Sequence, residues 1–292
     1  MTECATYPDL FPACKSRKIE VDFEGGDITS DAGSLLLRQV DRKLGLTRDL
    51  NKALHDPRSK GSCEHSQLSL YRQRIYGLAL GYEDLNDHST LRDDLALQTA
   101  VESDKSLASS PTLCRLENRA DREAAKEISM LIVEKFIASF KKAPTRLVLD
   151  FDATDDPVHG QQEGRFFHGY YDHYCFLPLY VFCGSQLLAA YRKQWPKVEI
   201  IFRGDSGSCH NWWPNQLRLL LSSLAYILIE SMRRLALRGT ELARAQCGTI
   251  RLKLLKIGAV VTRNTRRVRM HLASGCPYKP LFWHAARHLA LE

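Results

Sequence analysis

The sequence predicts an α/β protein in which a short mixed sheet of about four strands lies between two helical regions. Apolar residues recur at helical spacing through the first 143 residues. Between Pro144 and Gly204 the pattern changes to β-branched and aromatic runs separated by glycine or charged breaks. Helical spacing returns at Asn215. The predicted order along the chain is therefore helices, then strands, then helices.

The N-terminal region is predicted to be mostly helical. Residues 20–28, "EVDFEGGDI", alternate apolar and polar side chains, which favours a short strand or arm before the first helix. Gly81 is suited to end the second helical pattern. The residues predicted to cap the starts of four helices are Ser30, Ser66, Thr112 and Asp121.

Four runs predict the strands: "RLVLDF", "YCFLPLYVFC", "QLLAAY" and "VEIIFRG". Pro178 interrupts the second run, and a proline fits best at a sheet edge or a bulge. After the sheet, a helix is predicted from a cap at Asn215 to a stop at Gly239, followed by a second helical stretch. The final runs, "AVVTRN" and "RRVRMHLA", predict a basic hairpin.

Composition indicates a soluble globular protein, with 44% apolar and 26% charged residues in a chain of 292. The first 18 residues place acids and prolines where a signal peptide would have its apolar core. The longest apolar run, Leu219 to Ile229, is too short to cross a bilayer. The nine cysteines occur singly, which argues against a disulfide framework or a zinc ribbon. We expect a cytoplasmic protein without membrane contact.

The positive charge is concentrated in the C-terminal quarter. Residues 216–292 contain 14 Lys and Arg against 3 Glu, whereas the rest of the chain has 27 basic and 31 acidic residues. Such a surface suits a polyanion, of which nucleic acid is the commonest in the cytoplasm. A solvated basic helix face is the alternative explanation. The candidate DNA-binding residues, all in the predicted hairpin, are Arg263, Arg266, Arg267 and Arg269.

Two aspartates follow strands of the predicted sheet. Asp152 ends the first strand, within "LVLDFDATDD", and Asp205 follows the last. If these strands are parallel neighbours, the two carboxylates meet at one edge and suit Mg²⁺, which prefers oxygen ligands. Two such ions can clamp an in-line phosphoryl displacement, but a third carboxylate is then needed. The alternative is that these acids are turn residues, and this fits Asp155 and Asp156 better.

Long segments of the chain closely resemble the DDE-type transposases of bacterial insertion sequences, in particular the insertion-sequence 1380 family. They include "VDFEGGDITSDAGSLLLRQVDRKLGL", "YRQRIYGLALGYEDLNDHSTLRDD", "LDFDATDDPVHGQQEGRFFHGYYDHYCFLPLYVFCG" and "RGDSG". The resemblance implies a ribonuclease-H-like core that cuts and rejoins double-stranded DNA at inverted repeats. It also implies Mg²⁺ or Mn²⁺ as cofactor, with Asp152 and Asp205 as catalytic and metal-binding acids. A homodimer remains open.

The sequence departs from this family's pattern where a third acid is expected. The family has a glutamate in a motif like "YxxRGxxENxIKE" before the "NQLRL" helix, but here only Ser206 to Asn215 separate "RGD" from that helix. The later acids Glu230 and Glu241 lack the motif's companions. We therefore interpret the chain as an internally shortened transposase with impaired activity, or else as a non-catalytic DNA-binding remnant of one.

A second argument for shortening is the link between the third and fourth predicted strands. In a ribonuclease-H-like sheet these strands are parallel and lie on opposite sides of the first. The link, Lys193 to Lys197, spans at most about 17 Å, whereas such a crossover normally takes roughly a dozen residues. We expect a hairpin there instead, and hence an incomplete ribonuclease-H-like sheet.

The interpretation divides the chain into four parts. The division is an N-terminal tail at 1–19, a helical DNA-binding region at 20–143, a truncated core at 144–214, and a basic helical region at 215–292.

Overall fold

The structure is a computed structural model. It describes residues 14–17, 19, 21, 23–59, 61, 63–153, 156–157, 166–168, 172–176, 179–187, 199–204 and 213–290. None of the helices in these ranges is both long and apolar enough to span a membrane. The cysteines in these ranges are free, as their scattered positions predict.

The N-terminal half is helical, as predicted. Its helices are α1 (Ser34–Leu44), α2 (Leu46–Ala53), α3 (Gln67–Leu80), α4 (His88–Leu91), α5 (Leu95–Val101), α6 (Ser110–Asn118) and α7 (Arg122–Ala138). The C-terminal helices are α8 (Trp213–Ala236), α9 (Cys247–Ile250), which continues as a π-helical turn over Arg251–Leu255, and α10 (Lys279–Leu289).

Three of the predicted helix boundaries are confirmed. The Ser66 side chain accepts a hydrogen bond from the Ser69 amide, and the Asp121 side chain accepts one from the Ala124 amide. Each satisfies an amide that the first turn leaves unpaired. Gly81 ends α3 in the left-handed conformation, with φ of 95°.

Three predicted caps are wrong. Thr112 and Asn215 lie inside α6 and α8, which begin before them. Ser30 precedes a helix that begins only at Ser34, because the backbone first packs against the π-helical turn. A Cβ atom on Gly33 would lie 2.1 Å from the Leu254 carbonyl oxygen, so this approach requires glycine.

The central sheet has the four strands that the sequence predicts, in the order β7-β6-β2-β8. They are β2 (Arg146–Ala153), β6 (Leu179–Cys183), β7 (Gln186–Leu187) and β8 (Glu199–Gly204). Strand β6 is antiparallel to β2 and to β7, whereas β8 is parallel to β2. The sheet is therefore mixed, with β2 in the middle.

The expectation of a hairpin between the third and fourth strands is wrong. Strand β8 pairs with β2 on the side opposite β6, so it is not the neighbour of β7. The estimate allowed the crossover only the five residues Lys193 to Lys197. As the structure describes them, β7 covers Gln186–Leu187 and β8 begins at Glu199, so eleven residues separate the two strands, and a chain of that length can reach roughly 36 Å.

The described residues also form two smaller antiparallel sheets. The predicted run "YCFLPLYVFC" is divided between one of these sheets and the central one: β5 (His173–Phe176) pairs with β3 (Asp156–Pro157) and β4 (Phe166–His168), and only β6 joins the central sheet. Pro178 lies outside the described residues. The predicted hairpin is confirmed as β9 (Ala259–Arg263) and β10 (Val268–Leu272). The N-terminal arm adds β1 (Ile28–Thr29) to β9.

The main hydrophobic core joins the N-terminal and C-terminal helices. It is centred on α8, whose buried residues Leu221, Leu224 and Leu228 pack with side chains from α1, α3 and α10. The central sheet is attached separately. Leu147 and Leu149 of β2 form a small cluster with Phe136 of α7.

A buried ion pair crosses this core. The Glu117 carboxylate of α6 is fully buried and accepts hydrogen bonds from Arg74 of α3 at 2.8 Å and Arg218 of α8 at 2.5 Å. Arg74 is itself buried and also donates to two backbone carbonyls. A buried charge is tolerated only when it is paired in this way, so this cluster fixes how α8 lies against the N-terminal helices.

Replacing Glu117 with Gln should destabilise the protein strongly, because it leaves the Arg74 charge buried without its counter-ion. The expected loss is about 3–5 kcal/mol in the free energy of unfolding, measured by urea denaturation. The control is Glu123→Gln, which removes an exposed pair with Lys126 and should cost less than about 0.5 kcal/mol. Similar losses for both variants would contradict the prediction.

The buried imidazole of His88 should make stability depend on pH. Burial, assisted by the charge of Arg74, lowers the pKa of His88 to about 4. In the unfolded chain the pKa of this imidazole is about 6.5. Between about pH 4 and pH 6.5 the imidazole therefore binds a proton more readily in the unfolded state than in the folded state. Stability should therefore be unaffected above about pH 6.5 and fall by up to about 1.4 kcal/mol per unit as the pH drops towards 4.

The check is urea denaturation of His88→Gln across that pH range. The variant should lose most of this dependence, while His55→Gln, at an exposed histidine, should keep it. An unchanged slope in His88→Gln would show that other groups cause it.

Candidate functional site

The carboxyl ends of β2 and β8 lie side by side. These strands are parallel neighbours, with Asp150 paired to Arg203 and Phe151 to Gly204. Asp152 follows Phe151 in β2, and its backbone is paired with Tyr180 of β6. Acids at the carboxyl ends of two strands can approach each other only if the strands are parallel neighbours, and β2 and β8 are.

The two predicted catalytic acids are described to different extents. Asp152 is described only by its backbone position in β2, and Asp205 lies outside the described residues. Asp150, two residues before Asp152, is partly buried. Its charge adds to the effect of burial in raising the pKa of the Cys183 thiol, which lies close by on the neighbouring strand.

Helix α8 runs against this sheet on the β6 and β7 side. The ring of Tyr226 meets the ring of Phe182 edge-on at 6.0 Å, and its hydroxyl donates to the Ser185 carbonyl at 2.7 Å. Glu230 lies one turn after Tyr226 in α8, and its buried carboxylate accepts a hydrogen bond from the Ser185 hydroxyl at 3.4 Å. Burial raises the pKa of Glu230, while Arg234 and Arg233 oppose this effect.

Glu230 is at the wrong end of the sheet to act with Asp152. Asp152 is level with Tyr180, whereas Ser185 lies in the turn that follows Cys183. The strand from Tyr180 to Cys183 alone rises about 10 Å, far more than the roughly 4 Å between paired catalytic ions. No acid occurs in α8 before Glu230.

Glu241, the other late acid, does not supply the missing ligand either. It forms an exposed ion pair with Lys253 at 3.1 Å. Within the described ranges, no group of three His, Cys, Asp or Glu residues could hold a metal ion. The described residues thus bring the ends of β2 and β8 together. They do not show a third acid that could complete a metal site there.

The basic hairpin forms a second candidate site. Arg266, Arg267 and Arg269 are exposed, and none of them has a carboxylate partner among the described residues. The Asn264 side chain fixes the turn by accepting hydrogen bonds from the Arg266 and Arg267 amides. This surface is free to meet an anion.

Arg263 differs from the other hairpin arginines. Its guanidinium donates to the Gln98 side chain of α5 at 2.9 Å. Between β9 and β10, Arg263 is paired with Val268, and the next pair is Thr262 with Arg269. Because side chains alternate between faces along a strand, Arg263 and Arg269 lie on opposite faces. Sequence reasoning grouped the four arginines and missed this difference, because it depends on the register in which Arg263 pairs with Val268.

A cluster of exposed arginines such as that of the hairpin is the electrostatic footprint typical of nucleic-acid-binding proteins. The chain belongs to the family described as transposase DDE domain, group 1, which it matches over residues 11–191 and 207–292. Residues 192–206, which include Asp205, lie between the two matched segments. No curated protein and no solved structure gives a significant match.

Reversing the charge of the three exposed hairpin arginines should weaken binding to duplex DNA of any sequence by a similar factor, because phosphates carry no sequence information. Each lost phosphate contact should also lower the slope of log affinity against log salt by about 0.9. The measurement is fluorescence anisotropy with two unrelated duplexes at several salt concentrations.

The matched control is Lys15→Glu, at an exposed cation in the N-terminal tail, which should leave the slope unchanged. Replacing Arg263 with Gln should change the slope less than replacing Arg269. Loss of affinity for only one duplex would contradict backbone contact by these arginines.

Proposed function

We propose that the chain is an insertion-sequence transposase of the 1380 family type, internally shortened, with a ribonuclease-H-like core. The observation that carries this proposal is the parallel pairing of β2 and β8 with β6 and β7 on the other side of β2. This is the arrangement expected of a ribonuclease-H-like sheet. The break in the family match at residues 192–206 supports a shortening at the place where the sequence departs from the family's pattern.

In this proposal Asp152 and Asp205 are the two surviving catalytic acids. If the ladder continued by one residue beyond Phe151 and Gly204, the two aspartates would be opposite each other at one edge of the sheet. Their carboxylates would suit Mg²⁺ or Mn²⁺, which supplies Lewis-acid stabilisation of phosphoryl transfer when bound. The substrate would be double-stranded DNA at the element's inverted repeats.

The donor set for two ions is incomplete in the described residues. The helix that packs against the sheet, α8, carries its first acid at Glu230, which is level with the β6–β7 turn. With two acids the second ion would be poorly held. We therefore propose that cutting and strand transfer are impaired.

The alternative is a DNA-binding remnant without catalysis. It is favoured by the exposed hairpin arginines and by the absence of acidic residues from 242–291. Residues 20–143 would then recognise element ends, 215–292 would hold the phosphate backbone, and 144–214 would be the truncated core.

We propose that the protein acts in the cytoplasm, and a homodimer is compatible with either function.

The two functions differ in a plasmid-nicking assay. With Mg²⁺ or Mn²⁺ and a plasmid carrying the matching inverted repeats, we expect nicking close to the background set by Asp152→Ala. Binding to the same ends, measured by anisotropy, should be retained in both proteins, because the hairpin and helical core are unchanged.

The outcome decides between the functions. Metal-dependent nicking that Asp152→Ala abolishes would establish an active transposase and overturn the proposed impairment. Nicking that persists in Asp152→Ala would overturn the assignment of Asp152. The matched control is Asp172→Asn, at an exposed acid in the turn before β5, which should behave like the parent protein because asparagine tolerates the left-handed backbone there, with φ of 54°.

A further inference from the structure

A surface cavity of about 380 Å³ lies between strand β10 and helix α10. Its floor is apolar and includes Met270, Leu272 and Phe282, and Lys279 and Trp283 of α10 form part of the wall. The volume falls within the range of small-molecule sites, roughly 300–1,000 Å³.

Trp283 presents an unusually open aromatic surface at this cavity. Its side chain is 55% exposed, although burying such a ring would stabilise the fold. The neighbouring Phe282 is buried and meets it edge-on, with 5.6 Å between ring centroids and 83° between planes. This contact helps to orient the indole, and more than half of the Trp283 surface remains exposed.

Cations flank this ring at regular spacing along one side of α10. Lys279, Trp283 and Arg287 are separated by four residues each, and all three are exposed. Residues at this spacing share a helix face, and the two cations are about 12 Å apart along the axis. Since no Asp or Glu occurs from Leu242 to Leu291, no nearby acid in that stretch neutralises them.

We propose that this cavity binds an unpaired nucleobase of DNA, with the base stacked on Trp283 and the adjoining phosphates held by Lys279 and Arg287. Aromatic rings with interleaved cations are the recurrent means of holding single strands. A base inside a duplex has both faces covered by its neighbours, so only an unpaired base can stack on the indole. The proposal deepens the proposed DNA binding and assigns to it a single-stranded ligand.

The test uses fluorescence-labelled thymidine oligonucleotides and a chain of the same length made of abasic residues, which keeps the phosphates and removes the bases. The parent protein should bind the thymidine chain more tightly. Replacing Trp283 with Leu should weaken that binding by about 5- to 100-fold and leave the abasic chain and a duplex unaffected. Trp283→Phe should retain most of the affinity.

The matched control is Phe167→Leu, at another exposed aromatic residue, which should bind like the parent. The melting temperature of Trp283→Leu should stay within about 2 °C of the parent because the ring is exposed. Equal binding of the thymidine and abasic chains by the parent would overturn the proposal, as would normal thymidine binding by Trp283→Leu.

These outcomes are separable from failure of the proposed function. The duplex assay with the hairpin variants tests phosphate contact and does not depend on Trp283. A second result would also overturn the nucleobase proposal. If the protein binds a peptide, loses that binding in Trp283→Leu, and shows no preference for thymidine over abasic chains, the cavity belongs to a protein partner.

Discussion

The fold depends on the burial of α8 among helices from the N-terminal half of the chain. Its apolar face completes the main core, and Arg218 near its start meets the Glu117 carboxylate that Arg74 also holds. Neither the N-terminal nor the C-terminal helices bury their apolar faces alone. The hairpin and α10, which carry the exposed cations, are therefore held against the N-terminal helices by the same core.

Much of this fold could be predicted from local patterns. The helical regions, the strand at "RLVLDF" and the terminal hairpin follow from side-chain periodicity, and Ser66, Gly81 and Asp121 follow from cap chemistry. The errors arise where tertiary contacts decide. Ser30 lost its predicted role because Gly33 packs against a distant π-helical turn. No local pattern shows that β8 pairs with β2 and is not the neighbour of β7.

The individual residues of the candidate site could be predicted from the sequence, whereas the long-range contacts that bring them together could not. Spacing placed Asp152 at a strand end, but the parallel pairing of β2 with β8 is a long-range contact that composition does not encode. The hairpin arginines were found by charge, whereas the bond from Arg263 to Gln98 joins residues far apart in the chain. Trp283 was passed over because a single tryptophan carries no signal until its exposure is known.

The sheet that bears Asp152 is attached to the helical body through the small cluster around Phe136, Leu147 and Leu149 and through the contacts of Phe182 and Ser185 with α8. Among the described residues, none from its strands belongs to the main core. Damage to the sheet therefore removes little of the buried surface that keeps the rest folded. In evolutionary terms, the reactive part of such a protein can decay by deletion while the binding surface persists. Selection for folding alone would not eliminate that product.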